Sequence, residues 1–133
     1  MSQSLRLIIK KLDITLKADG RQHVLIWLAG RGEIYIGEAF ASEDENDLLK
    51  AIVQATLQAI NKALTKLISL NLIHCRQIFL TEVGQIAFLV IIQVEAENNQ
   101  MLLPGISLFA SFTPEAAAKA TLKALNRTIT KYF

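Results

Sequence analysis

Ala120-Thr121-Leu122-Lys123-Ala124-Leu125-Asn126-Arg127 repeats, 65 residues downstream, the wording of Ala55-Thr56-Leu57-Gln58-Ala59-Ile60-Asn61-Lys62. Each copy sits where apolar residues recur at three- and four-residue steps, the period of an amphipathic helix. Around the first copy, Leu49, Ile52, Val53, Leu57, Ile60, Leu64, Leu67 and Ile68 form one stripe, and Lys50, Gln54, Gln58 and Lys62 take the other side. Three segments of strand character precede each copy. The chain therefore reads as one β-β-β-α unit written twice: an α+β fold, two pseudo-symmetric halves with antiparallel strands and two helices. Residues 1–133 are expected to form a single domain, with half-units of about 1–70 and 71–133.

In the first half, Leu12, Ile14 and Leu16 alternate with Lys11, Asp13, Thr15 and Lys17, whereas Leu5, Leu7 and Ile9 hold the opposite parity. A bulge near Lys10-Lys11 would reconcile the two registers. The Asp19-Gly20 pair signals a turn, and His23 to Ala29 follows as a second strand. Val24 to Leu28 is apolar on both parities, which predicts that both faces of this strand are covered. Gly30-Arg31-Gly32 turns the chain into a third strand, Glu33 to Phe40. The helix after it is expected to start at Asn46 or Asp47 and to run as far as Ile68, with acidic residues near its positive end.

The second half repeats the plan. Ile73 to Val83 and Ile86 to Glu97 read as strands, with a turn at Gly84-Gln85, and Phe88 to Ile92 is again apolar on both parities. Asn98-Asn99 turns into Met101 to Phe112, a strand shortened or bent by Pro104-Gly105. Thr113-Pro114-Glu115 places a cap, a proline and an acid where a helix begins.

Composition narrows the function. Of 133 residues, 52% are hydrophobic and 20% charged, which excludes a disordered chain and points to apolar surface met by another subunit. A net charge of +2 is far below what phosphate neutralisation demands, so nucleic acid is not the expected partner. The opening Met1-Ser2-Gln3-Ser4 lacks the basic and apolar regions of a signal peptide, and Cys75 is the sole cysteine. From these features a cytoplasmic location is expected. The apolar run Ile86 to Ile92 is far shorter than the roughly 20 residues a membrane-spanning helix needs.

No catalytic constellation, metal-ligand spacing or phosphate cradle is present, so neither an enzyme nor a cofactor is expected. His74 and Cys75 are strand neighbours that point to opposite faces, and His23 is the only other histidine. Asn61 and Asn126 each stand beside a buried stripe, where an amide needs a fixed partner such as an edge-strand carbonyl. Trp27 and Phe88, inside the two doubly apolar strands, are structural or interface candidates. Ser42, Asp44, Asp47 and Thr113, in the loops before the helices, are the positions where a ligand would be captured.

Two consecutive β-β-β-α units ending in these helix words resemble the C-terminal regulatory domain of 2-isopropylmalate synthase. The resemblance implies a domain that dimerises and binds an end-product amino acid in glycine-rich loops ahead of its helices. Here those loops are Ser42 to Asp47 and Thr113-Pro114, without that glycine pattern, so the resemblance carries the fold and the dimer and not leucine binding.

The expectation is a non-catalytic homodimeric assembly or regulatory module, sensing a small metabolite or docking a partner protein. The alternative is a small nucleic-acid-associated domain using Arg6, Lys10, Lys11, Lys17, Arg21 and Arg31 of the basic N-terminal third. If the six strands form one sheet, its two helices cover a single face and the other needs a partner. Two three-stranded layers facing each other would close the core within the chain.

Overall fold

A computed structural model describes residues 6–64, 68–111 and 113–129, the side chains of 127–129 excepted. Leu5 and Phe112, read as strand residues, lie outside this description, as do Thr65 to Leu67. The elements in chain order are β1 (Ile8–Leu16), β2 (Gln22–Gly30), β3 (Glu33–Ala41), α1 (Glu45–Ala63), β4 (Ile68–Leu80), β5 (Gln85–Ala96), β6 (Asn99–Phe109) and α2 (Pro114–Ile129). The β-β-β-α unit occurs twice, as the repeated helix words imply.

Turn chemistry sets each meander. Arg31 and Gly32 both have positive φ and join β2 to β3 in a two-residue hairpin, with Gly30 opposite Glu33. Glu97 and Asn98 do the same between β5 and β6, with Ala96 opposite Asn99. Two consecutive left-handed residues match the right-handed twist of the strands they connect. The turn expected at Asn98-Asn99 therefore lies one residue earlier.

The six strands make two separate antiparallel sheets, ordered β1-β2-β3 and β4-β5-β6, rather than one. The expected bulge is present, as a register shift between Ile9 and Lys11, and it has a twin between Leu72 and His74 in β4. The bulge in β1 lets Ile9 before it and Leu12 and Ile14 after it face inward together; the one in β4 does the same for Leu70 and Leu72 before it and Cys75 after it. Pro104 and Gly105 do not interrupt β6: they pair with Ile91 and Val90 inside a continuous ladder. A proline fits there because β6 is an edge strand and owes no N–H to a further neighbour.

The helices lie against each other, and the inner faces of both sheets close over them. α1 packs on β2, β3 and α2 and also on β4; α2 packs on β5, β6 and α1 and also on β1. Each half thus lends its first strand to the helix of the other half. Within the described part of α1 only the stripe through Lys50, Gln54, Gln58 and Asn61 to Lys62, with the polar first turn, is exposed; in α2 the stripe is Glu115, Lys119 and Lys123. Val24, Ile26 and Leu28 from β2 and Phe88, Val90 and Ile92 from β5 belong to one core, joined through helix residues that include Ile52, Ile60 and Leu125. Each such side chain contributes about 1.5–3 kcal/mol on burial.

The repeated helix words have a packing cause. A Cβ at Gly37 of β3 would overlap the carbonyl oxygen of Ala55 and crowd the backbone nitrogen of Ala59; one at Gly105 of β6 would meet Ala120 and Ala124 in the same way. Glycine on the strand and alanines one turn apart on the helix allow a contact closer than larger side chains permit. Thr56 and Thr121 are sealed from solvent and satisfied by donating to the carbonyls of Ile52 (2.7 Å) and Ala117 (2.9 Å).

Helix α1 begins earlier than expected. Asp44, not Asn46 or Asp47, is its N-cap and accepts from the Asn46 N–H at 2.7 Å. It also ends earlier, at Ala63, because Ile68, Leu70 and Leu72 alternate as β4 residues although Leu64 and Ile68 also fit a helical stripe.

Candidate functional site

The inner faces close within the chain; the outer faces do not. Leu25 and Trp27 of β2, and Leu89 and Ile91 of β5, point away from the helices and are only half-buried, by their lateral neighbours. Within the chain the two sheets share two helices, which cover only the inner faces of these strands.

The two outer faces differ in chemistry. On the β1-β2-β3 sheet apolar side chains such as Ile34, Ile36 and Phe40 alternate with polar groups that already have partners. Lys11 bonds Asp13 at 3.3 Å and stands 5.1 Å from the Trp27 ring centroid. His23 stacks on Phe40 with centroids 4.6 Å apart and meets Glu38 at 2.7 Å, while Arg21 covers the other part of Phe40 and bonds Asp19. The Arg21 backbone N–H and its guanidinium hold the Asp19 carboxyl below its ordinary value. Two members of the basic N-terminal set, Lys11 and Arg21, are therefore occupied by neighbouring acids rather than gathered into one patch.

On the β4-β5-β6 sheet the outer row of β6 is Leu102, Pro104, Ile106 and Leu108, beside Leu89 and Ile91 of β5. Leu102 is 60%, Ile106 50% and Leu108 59% exposed, values that suit a surface contact and not a core. The row on β6 carries no charge; Arg76 of β4 stands across Leu89 from Ile106, and Glu95 lies at one end of β5.

Two grooves lie where each helix meets the first strand of the other half. One, of about 330 Å³, is formed by Lys119, Leu122, Lys123 and Asn126 of α2 with Arg6 to Ile9. Its twin, of about 340 Å³, is formed by Gln54, Leu57, Gln58 and Asn61 of α1 with Leu70 to Leu72 of β4. The two asparagines thus hold equivalent positions, but among the described residues only Asn126 has a partner. The Asn126 Oδ1 accepts from the Leu7 N–H at 3.4 Å, and its Nδ2 donates to the Leu7 carbonyl at 3.5 Å. Leu7 precedes the first ladder pair, Ile8 with Ala29, so its peptide groups have no strand partner. Leu70 is already paired with Val94, and Asn61 is exposed and makes no hydrogen bond with the described residues, contrary to expectation.

The loop residues named from sequence serve the fold. Ser42 Oγ donates to Asp47 at 2.6 Å and accepts from the Asp44 N–H at 3.3 Å, and Asp44 caps α1. Thr113 is exposed, and its carbonyl accepts from the Ala116 N–H. Phe88 is fully buried in the chain's own core and is no contact residue, because its strand parity is inward; Trp27 is on an outer face. His74 points outward and Cys75 inward, where burial raises the thiol pKa against the opposing pull of Lys50. Among the described residues no group of His, Cys, Asp or Glu forms a metal cage, and no helix is long and apolar enough to cross a membrane.

Sequence reasoning missed the outward row of β6 and the cations of the α2 groove. The first was visible as apolar residues at both parities around Pro104; the second joins residues more than a hundred positions apart and has no local signal. No protein-family model matches the chain, and no curated protein matches it.

Proposed function

We propose that this chain is a non-catalytic, cytoplasmic assembly or regulatory module that works as a homodimer, pairing through the outer face of the β4-β5-β6 sheet. The observation that carries the reading is the uncovered row Leu102, Ile106 and Leu108, at least half exposed and free of charge along its length. Contiguous apolar patches beyond a few hundred Å² are rarely left open on soluble monomers, and contact cores are depleted of charge. A second copy fits because a two-fold axis lets one patch bury itself. Pro104 favours pairing by the face, since it withholds an N–H from the edge of β6. The duplicated unit that resembles a dimerising regulatory domain supports the same assignment.

Replacing Leu108 by lysine, or Leu102 and Ile106 together, tests the face. The variants should keep the wild-type circular dichroism and lose the dimer. Trp27, the single tryptophan, lies on the other sheet and should keep its emission on dissociation. Variants that stay dimeric, with emission that shifts on dilution, would move the contact to the β1-β2-β3 face.

A further inference from the structure

The internal duplication supplies a comparison that an ordinary groove lacks. Both grooves have an aliphatic floor, Leu7, Ile9 and Leu122 in one and Leu70, Leu72 and Leu57 in the other. The rims differ. Where the α1 groove has the neutral amides Gln54 and Gln58, the α2 groove has Lys119 and Lys123, and Arg6 adds a third cation.

No carboxylate stands within ion-pair distance of Arg6, Lys119 or Lys123 among the described residues. Lys119 and Lys123 are one helical turn apart, a spacing at which like charges repel, so an anion between them relieves an unfavourable arrangement. Asn126 holds the Leu7 backbone against α2, which fixes the floor without using up the rim. A cleft of about 330 Å³ falls at the small end of ligand sites, where an apolar floor with few polar groups is usual.

We propose that the groove between α2 and the lead-in to β1 binds a small aliphatic monocarboxylate, the chain on Leu7, Ile9 and Leu122 and the carboxylate between Lys119, Lys123 and Arg6. No acidic side chain lines the groove, so an α-amino acid with the same chain brings an ammonium that has nothing to meet. Inorganic phosphate satisfies the rim and leaves the floor empty. The inference deepens the regulatory side of the proposed function and is independent of sheet-face pairing, because every groove residue belongs to α2, the β1 lead-in or the start of β1, and none to the β4-β5-β6 sheet.

Amide chemical shifts are followed while the full chain is titrated with hexanoate, norleucine and inorganic phosphate. Hexanoate should shift Leu7 to Ile9 and 119–126, with 54–61 and Leu70 to Leu72 silent, and should bind at least tenfold tighter than either comparison ligand. The variant Lys119→Gln with Lys123→Gln, which gives this groove its twin's rim, should weaken hexanoate at least tenfold and keep the wild-type spectrum elsewhere. Equal shifts in both grooves, equal affinity for norleucine, unchanged binding in the variant, or no binding at millimolar hexanoate would each overturn the proposal. Running the titration on the monomeric Leu108→Lys variant separates the two readings: binding there with no wild-type dimer sinks the pairing alone, and a silent groove in a proven dimer sinks this inference alone.

Discussion

Asn61 and Asn126 look alike in sequence and stand at equivalent places, yet only Asn126 bridges to the peptide of Leu7. Asn126→Ala should lower the unfolding free energy by about 1–2 kcal/mol, because both Leu7 peptide groups lose their partner. Asn61→Ala should change it by less than about 0.5 kcal/mol, as usual for an exposed site. Urea unfolding of the two variants reads the difference; equal losses would mean the two amides have equal roles. Cys75 gives a pH prediction. Its thiol pKa is raised by burial, so the native state favours the protonated form, and that contribution is fully present below the unfolded thiol's pKa. As pH rises through the folded value the contribution is lost, and wild type should lose stability in that alkaline window relative to Cys75→Ala. At pH 8 the native thiol should react with iodoacetamide more slowly than the urea-unfolded chain; equal rates would show that the thiol is not shielded.

At the scale of elements, each helix is held by a glycine on its own sheet. Gly37→Ala or Gly105→Ala puts a methyl into the backbone of the opposing helix, so each should cost about 3 kcal/mol or more, at the upper end of overpacking. Thermal melts that match wild type would show that the helices can lift off the strands. The same contact explains how legible the fold was. Ala55, Ala59, Ala120 and Ala124 repeat audibly in the sequence because a close crossing permits little else, and with the capping signal at Thr113-Pro114 they were enough to give the β-β-β-α order. In the sequence Gly37 is one more residue of the third strand and Pro104-Gly105 a bend, because the reason for a glycine inside a strand is a helix backbone met far along the chain. The end of α1 was misplaced because Leu64 and Ile68 satisfy the helical period, while Ile68, Leu70 and Leu72 also satisfy the strand period that prevails in β4. Of the candidate site, the partner-seeking apolar strands were visible, but their outward halves could not be told from their inward halves until two sheets, instead of one, set the parity.

For the whole molecule the question is what covers the outward faces of two sheets that share a single pair of helices. The chain closes one core completely, with no buried side-chain polar atom lacking a partner among the described residues. It leaves Leu102, Ile106 and Leu108 outside that core, in an outward row of β6 that carries no charge. In the proposed homodimer, a second copy turned about a two-fold axis would cover this face. The most direct test is sedimentation equilibrium of the wild-type chain at micromolar concentration. A homodimer sediments as a species of about twice the 14.8 kDa chain mass, which is the expected result. A single species at 14.8 kDa across that range would contradict it.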